Sequence, residues 1–287
     1  MKAEIAPVND VVTDLTFSVN ATDQLSMWHQ SDLHLDSPLC DRKTLTKHLR
    51  QAEETQSPVL IAGDVFDSMQ SHDDPRRRPE ELKAEYHVSH YLDAIVQDAV
   101  RFFRQFNLQY IFGMGNHESV ILKKLNTGLI DRLTYGVNVE GGDALAVGYA
   151  GYLRLNFRYK RGNTAFQKVV YFHHGRSTNA EVTRGAIQTN RQAVYMHEAD
   201  LVQNGHNHQG WIMNVPRSRL SAAGEPYNDL LWFIRTPGYK LSGIATQERF
   251  GFGTERHPAP TPIGCVRVDY EFSKHTGVDI NPVPIMI

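Results

Sequence analysis

The sequence predicts an α/β fold in which a two-sheet β-sandwich is flanked by helices, giving αββα layers. Three observations predict it. Short apolar runs end in polar residues, as buried strands do when their carboxyl ends carry a site. Stretches with helical spacing of apolar residues lie between those runs. After Trp211 the pattern is mostly that of strands. The 287 residues suffice for one large domain or two small ones. No repeat or low-complexity tract divides them, so a single domain over 1–287 is expected.

The elements follow in order. Leu45, Leu49 and Ala52 mark a helix behind a capping residue at Asp41. Val59-Leu60-Ile61-Ala62 is a buried strand ending at Gly63-Asp64. The polar segment from Asp67 to His90 carries Arg76, Arg77 and Arg78 and reads as an inserted loop (67–90) near the mouth of a site. Leu92, Ile95, Val96, Ala99, Phe102, Phe103 and Phe106 share one helical face, a core face. Leu108 to Gly113 is a strand stopping just before Asn116, and Val120 to Leu133 reads as one helix. Val147 to Tyr171 alternates apolar and polar residues about a turn at Arg161-Gly162-Asn163. That hairpin leads into a strand, Val169 to Phe172, ending at His173. Ile187 to Tyr195 is helical, and Leu201-Val202 delivers His206. Leu230 to Ile234, Val266 to Phe272 and Val278 to Ile285 complete the strands.

Five short blocks carry the chemistry: Ser31-Asp32-Leu33-His34, Gly63-Asp64, Gly115-Asn116-His117-Glu118, His173-His174-Gly175 and Gly205-His206-Asn207-His208. They supply Asp, His and Asn and no Cys. Oxygen and imidazole nitrogen suit a pair of divalent cations such as Mn, Fe or Zn. Paired cations clamp an in-line displacement at phosphorus, so hydrolysis of a phosphate ester is the expected chemistry. Asp32 and His34 are two apart, and so are His206 and His208. In extended strands each pair would share one face and could grip one ion.

Composition narrows the rest. The net charge is -2, which excludes a strongly basic nucleic-acid footprint overall. Two cysteines, Cys40 and Cys265, make no disulfide framework and suggest a reducing cytosol. Met1 to Gln24 lacks a basic-then-apolar signal, and no run approaches the length of a membrane span. A cytoplasmic protein with no membrane partner is expected.

The ordered series D-x-H, G-D, G-N-H-E, H and G-H-x-H, from Asp32 to His208, resembles the calcineurin-like metallophosphoesterase superfamily. Gly63 to Asp67 and His173 to Gly175 are similar to uncharacterised phage and bacterial members, and DNA-repair exonucleases belong to the same superfamily. The resemblance implies that Asp32, His34 and His208 bind one metal and that Asn116, His173 and His206 bind the other. Asp64 would bridge them, and a hydroxide between the metals would attack phosphorus. Mn is the foremost ion, with Fe, Zn, Ni or Co also suited. His117 would stabilise the transition state or protonate the leaving oxygen, and Glu118 would fix its tautomer. His173 is favoured over its neighbour His174, which would then be a supporting imidazole. The expected partner is a phosphate-ester substrate, with phosphodiesters favoured and nucleic acid among them. Small phosphomonoesters are the alternative, and a silent protein-interaction scaffold the least favoured.

Softer signals have two readings each. Arg76 to Arg78 lie among Asp73, Asp74, Glu80 and Glu81, a self-compensated charge run or a phosphate contact. Tyr86 and His87 are packing residues or a stacking platform. Arg176, Arg184, Asn190 and Arg191 are surface groups or phosphate holders. Asp36 and Asp67 are turn residues or supports for ligands, and Trp211 is core or pocket wall.

Overall fold

The computed structural model describes residues 1–20, 22–68, 82–160, 165–175, 183–221, 223–241, 260–273 and 277–287. The Arg76–Arg78 run, the turn at Arg161 to Asn163 and Arg176 lie outside them.

Among the described residues, thirteen strands form two sheets. The first holds β1 (Glu4–Asn9), β2 (Val12–Val19), β7 (Ala150–Tyr159), β8 (Ala165–His173), β9 (Leu201–Asn204), β11 (Pro226–Arg235) and β10 (Trp211–Leu220), in that spatial order. The second runs β13 (Gly277–Met286), β12 (Gly264–Ser273), β3 (Leu25–Gln30), β4 (Val59–Ile61), β5 (Gln109–Phe112) and β6 (Asp143–Ala146). Strands β3 to β6 are parallel, as are β8, β9 and β11. Their carboxyl ends therefore gather at one end of the sandwich, where parallel sheets place polar residues.

The inner faces of both sheets make one core. Leu15, Phe17, Leu153, Phe157, Val170 and Phe172 of the first meet Met27, Leu60, Ile111, Val266 and Val268 of the second. Helices α1 (Arg42–Glu54), α2 (Tyr91–Phe103), α3 (Asn116–Leu125) and α4 (Leu129–Val139) cover the outside of the second sheet. Helix α5 (Ala186–Ala193) contributes Ala193 to a small cluster with Val202, Leu231 and Phe233 outside the first. The expected αββα layering is observed, with most of the helix on one side.

Local signals act as expected where caps and faces are strong. Asp41 accepts the Thr44 N–H at the start of α1, with Leu45, Leu49 and Ala52 buried. Helix α2 buries Ile95, Val96, Ala99, Phe102 and Phe103. The single helix expected from Val120 to Leu133 is two helices. Asn126 ends α3 in the left-handed region at φ 51°, and Gly128 caps α4. Asn tolerates that conformation and releases the chain into a turn. The N-terminal hairpin β1–β2 had no counterpart among the expected elements, although the alternation of buried Thr13, Leu15, Phe17 and Val19 marks β2 in the sequence.

Candidate metal centre

All five blocks sit just beyond strand ends. Asp32 and His34 follow β3, Asp64 follows β4, and Asn116 opens α3 after β5. His174 follows β8, and His206 and His208 follow β9. Asp32, His34, Asp64, His206 and His208 have φ of 54°, 47°, 50°, 73° and 54°. The two-apart pairs are thus not exposed on strand faces. They are turned inward by tight left-handed loops, each such residue costing about 1–2 kcal/mol in backbone strain. Gly63, at φ 92°, lets those loops meet, since a Cβ there would lie 2.7 Å from Gly115 and from the His174 ring.

Among the described residues, three groups of side chains converge within metal-ligating range of one another: Asp32, His34 and His208; His34, Asp64 and His117; and Asp64, His174 and His206. His34 Nε2 lies 3.3 Å from His208 Nε2, which is 3.5 Å from Asp32 Oδ1. His174 Nε2 is 3.1 Å from Asp64 Oδ2 and 3.0 Å from Asn116 Oδ1. His206 Nδ1 is 2.7 Å from the same Asn116 oxygen. Asp64 thus stands between the two outer groups.

Strand parity brings His174, and not the favoured His173, into the cluster. Val170 and Phe172 of β8 enter the inter-sheet core, so the inward series continues to His174. His173 points to the opposite face, packs edge-on against Tyr149 and accepts the Gly175 N–H through Nδ1 at 2.9 Å. His174 is fully buried, and its Nδ1–H donates to the Ala62 carbonyl at 2.8 Å.

The expected link between Glu118 and the His117 tautomer is also absent. Glu118 accepts the backbone N–H groups of Gly115, Phe66 and Asp64 at 2.8, 2.9 and 3.2 Å. It is a strut that ties the Asp64 loop to the start of α3. His117 Nδ1–H instead donates to the Asp67 carbonyl, leaving Nε2 3.7 Å from Asp64 Oδ2.

Asp67 takes the supporting role. Its Oδ1 lies 2.8 Å from His34 Nδ1 and 2.7 Å from Lys240 Nζ. Asp36 accepts the N–H groups of Asp67 and Ser68 and the Tyr91 hydroxyl, so it holds this turn. Ser31 donates to Asp32, and its Oγ is 2.5 Å from Thr236 Oγ1. Thr236 and Lys240 escaped the sequence reading because they follow β11 without any motif around them.

Electrostatics differ sharply within the cluster. Burial pulls His34 and His208 down to about 4, below the usual imidazole value. Burial acts the same way on His174, but the facing Asp64 carboxylate overrides it and lifts the ring to about 9. Burial opposes ionisation of Asp64, yet His174 and His117 hold its carboxyl far below the ordinary range. Burial and the Asp64 charge push Glu118 up to about 7.

The sequence model of the calcineurin-like phosphoesterases matches residues 25–210. The chain belongs to this family. The calcineurin-like phosphoesterase match spans β3 to the loop after β9, so it contains every block above, while β10 to β13 lie beyond it. A search of curated proteins finds no match. Solved structures similar to this calcineurin-like phosphoesterase are distant. One is "GAP50 the anchor in the inner membrane complex of Plasmodium", at 11% identity and TM-score 0.44, covering 91% of this chain and 84% of its own. Another is Vps29 complexed with zinc from Entamoeba histolytica, at 10% identity and TM-score 0.34, covering 90% and 98%. A third is a predicted phosphoesterase from Streptococcus pneumoniae, at 13% identity and TM-score 0.28, covering 92% and 91%.

Membership makes the chain a metal-dependent hydrolase of phosphate esters that binds divalent metal. Its residues fit that cofactor. With protons on the outer nitrogens of His34 and His174, facing Asp67 and Ala62, the inner nitrogens aim lone pairs at other lone pairs. Such an arrangement is repulsive unless a cation or proton lies between. No helix among the described residues is long and apolar enough to cross a membrane.

Proposed function

We propose that the chain cleaves phosphodiesters at a two-cation centre. Asp32, His34, His208 and Asp64 would hold one ion, and Asp64, Asn116, His174 and His206 the other. The observation that carries this reading is the position of Asp64 between two converging sets of lone pairs. Mn is the ion we favour: the N/O ligand set without thiolate accepts it, and availability rather than affinity would select it over zinc, which imidazole binds more tightly. The cations supply charge neutralisation of the phosphate and acidify a water.

The chain's own residues do the remainder. His117 presents Nε2 to the centre, its ring oriented through Nδ1–H and the Asp67 carbonyl. From there it can donate a proton to the leaving oxygen. Asp67 fixes His34 in the tautomer whose Nε2 is free, and Lys240 balances the Asp67 charge. Glu118 keeps Asp64 and Asn116 in register across two loops. The free thiols Cys40 and Cys265 support a reducing compartment such as the cytoplasm.

The test is hydrolysis after metal stripping and Mn²⁺ addition, with Asp64→Ala as control. A phosphodiester chromogen, a phosphomonoester chromogen and labelled single- and double-stranded DNA run in parallel. Turnover of the diester above the monoester is expected, and cleavage of DNA would extend the reading to a nuclease. Turnover of the monoester alone would replace it with a phosphomonoesterase. Two bound metals with no turnover of any ester would overturn it.

A further inference from the structure

Arg235 ends β11 on the outer face of the first sheet, beside Asn204 of β9 and Trp211 of β10. It is only 5% exposed. Its guanidinium forms no ion pair or hydrogen bond with any described residue, and Nε is buried without a partner. Its contacts are two surfaces. The Trp211 ring centroid is 5.3 Å from Cζ, and the backbone of Gly185 lies so near that a Cβ there would stand 2.9 Å from Cζ.

Gly185 is the N-cap of α5. That helix has no side-chain cap and no acidic residue in its first turn. A helix N-terminus carries partial positive charge and unsatisfied N–H donors. Here a buried cation is packed against it, so two features of like sign adjoin with no acidic residue between them among the described residues. A buried guanidinium lacking an acceptor is costly, and the pairing with a positive helix end adds to that cost. One ligand class relieves both: an oxyanion, held by the guanidinium fork and the N–H groups of Ile187 and Gln188, the Ala186 N–H being taken by the Thr183 carbonyl.

The subsite lies at the same end of the sheet as the metal centre but opens on the outer face: Thr236, the next residue, turns to the inner face and contacts Ser31, which donates to Asp32. Burial lowers the Arg235 pKa to about 10, and the charge opposing that shift is the Asp32 carboxylate. Nearby Asn204 is engaged with Gln192 of α5 and so does not occupy the guanidinium.

We infer that Arg235 and the N-terminus of α5 form an anion subsite that binds a second phosphate group of the substrate, at the same end of the sheet as the metal centre. The inference rests on the phosphodiesterase reading for the word substrate, but the subsite itself does not depend on turnover. It selects esters carrying two phosphates, such as a phosphorylated nucleotide ester or a segment of nucleic acid backbone.

Two readouts test it on the full chain. The first is calorimetric titration of metal-free protein with inorganic phosphate and pyrophosphate, with acetate as a control for charge alone. Wild type should bind the phosphates, Arg235→Met should weaken binding about tenfold or more, and Arg235→Lys should fall between, because it keeps charge without the fork. Thermal melting establishes that each variant is folded. Absence of phosphate binding by wild type, or equal binding by folded Arg235→Met, would overturn the subsite. The second readout compares the p-nitrophenyl ester of thymidine 5′-phosphate with and without a 3′-phosphate, in the Mn²⁺-loaded enzyme. Arg235→Met should raise KM for the 3′-phosphorylated ester alone, with kcat retained. An unchanged KM ratio would overturn the assignment to a second substrate phosphate. If no ester turns over but phosphate binding responds to Arg235, the phosphodiesterase reading fails and the subsite stands.

Discussion

The two halves of the metal centre use the same side chain to opposite electrostatic effect. His34 and His208 face each other and are pulled down to about 4, whereas His174 faces Asp64 and is lifted to about 9. Burial acts downward on all three rings, so burial alone cannot set the direction. Carboxylates face rings in both halves, but Asp67 and Asp32 do not outweigh burial at His34 and His208, which also oppose each other and the Lys240 charge, whereas Asp64 does outweigh it at His174. In the proposed centre, a cation would relieve the repulsion between lone pairs in the first half and take the place of the His174 proton in the second.

The largest effect should come from removing the residue common to both halves. Asp64→Ala leaves buried His174 without its counter-charge and should lower metal affinity and turnover by about 10³-fold or more. Elemental analysis showing full metal content would break the comparison at its centre. Next, His117→Ala should keep its metals while losing about 10²–10⁴ of kcat, the span of an acid catalyst. Equal loss of metal would make His117 a ligand. Separating the neighbours sharpens the second half. His174→Ala should lose metal measurably by calorimetry, and His173→Ala should not, since its ring faces away from the cluster. Reversal of that order would restore His173.

The smallest effect is the most diagnostic of the contrast itself. His34 and His208 have folded pKa values below their unfolded ones. Their contribution to stability is present above about 6.5 and is lost as pH falls through 4. His174 is raised, so its contribution is present below about 6.5 and is lost as pH rises through 9. Glu118, raised to about 7, acts in the same sense as His174 over the window from its usual value to 7. Metal-free protein should therefore melt at lower temperature toward both pH 4 and pH 9. Excess cation should flatten the alkaline limb, and His174→Gln should remove most of it. A melting profile with no alkaline limb in the metal-free wild type would contradict the Asp64–His174 pairing.

Much of this was legible in the sequence, for reasons that can be named. The strand ends were readable because apolar runs such as Val59 to Ala62 stop at a polar pair. The helices were readable where one face is apolar, as in α2. Helices α3 and α4 merged because Asn126-Thr127-Gly128 is too short a break to interrupt a periodicity. The ligand blocks were legible as types and order but not as geometry. D-x-H suggested a strand face, while the chain makes left-handed turns there. The choice between His173 and His174 was in fact recoverable, since the parity of Val170 and Phe172 extends to His174. Lys240, Thr236 and Arg235 were not recoverable, because their contacts join positions some 170 to 205 residues apart or lie across a sheet. Nothing local encodes such a meeting.

The left-handed loops have one more consequence, for how this protein can change. Asp32, His34, Asp64, His206 and His208 each hold a backbone shape that glycine adopts freely. At every one of these positions, a glycine would relax the backbone while deleting a side chain of the proposed centre. Backbone ease and activity therefore pull in opposite directions at the same five residues. Drift toward an unstrained backbone would erode the centre first. Ion uptake works against that drift, since a cation bound only by the folded chain stabilises it in proportion to the logarithm of its concentration. The metal is then part of the scaffold's durability as well as of its chemistry.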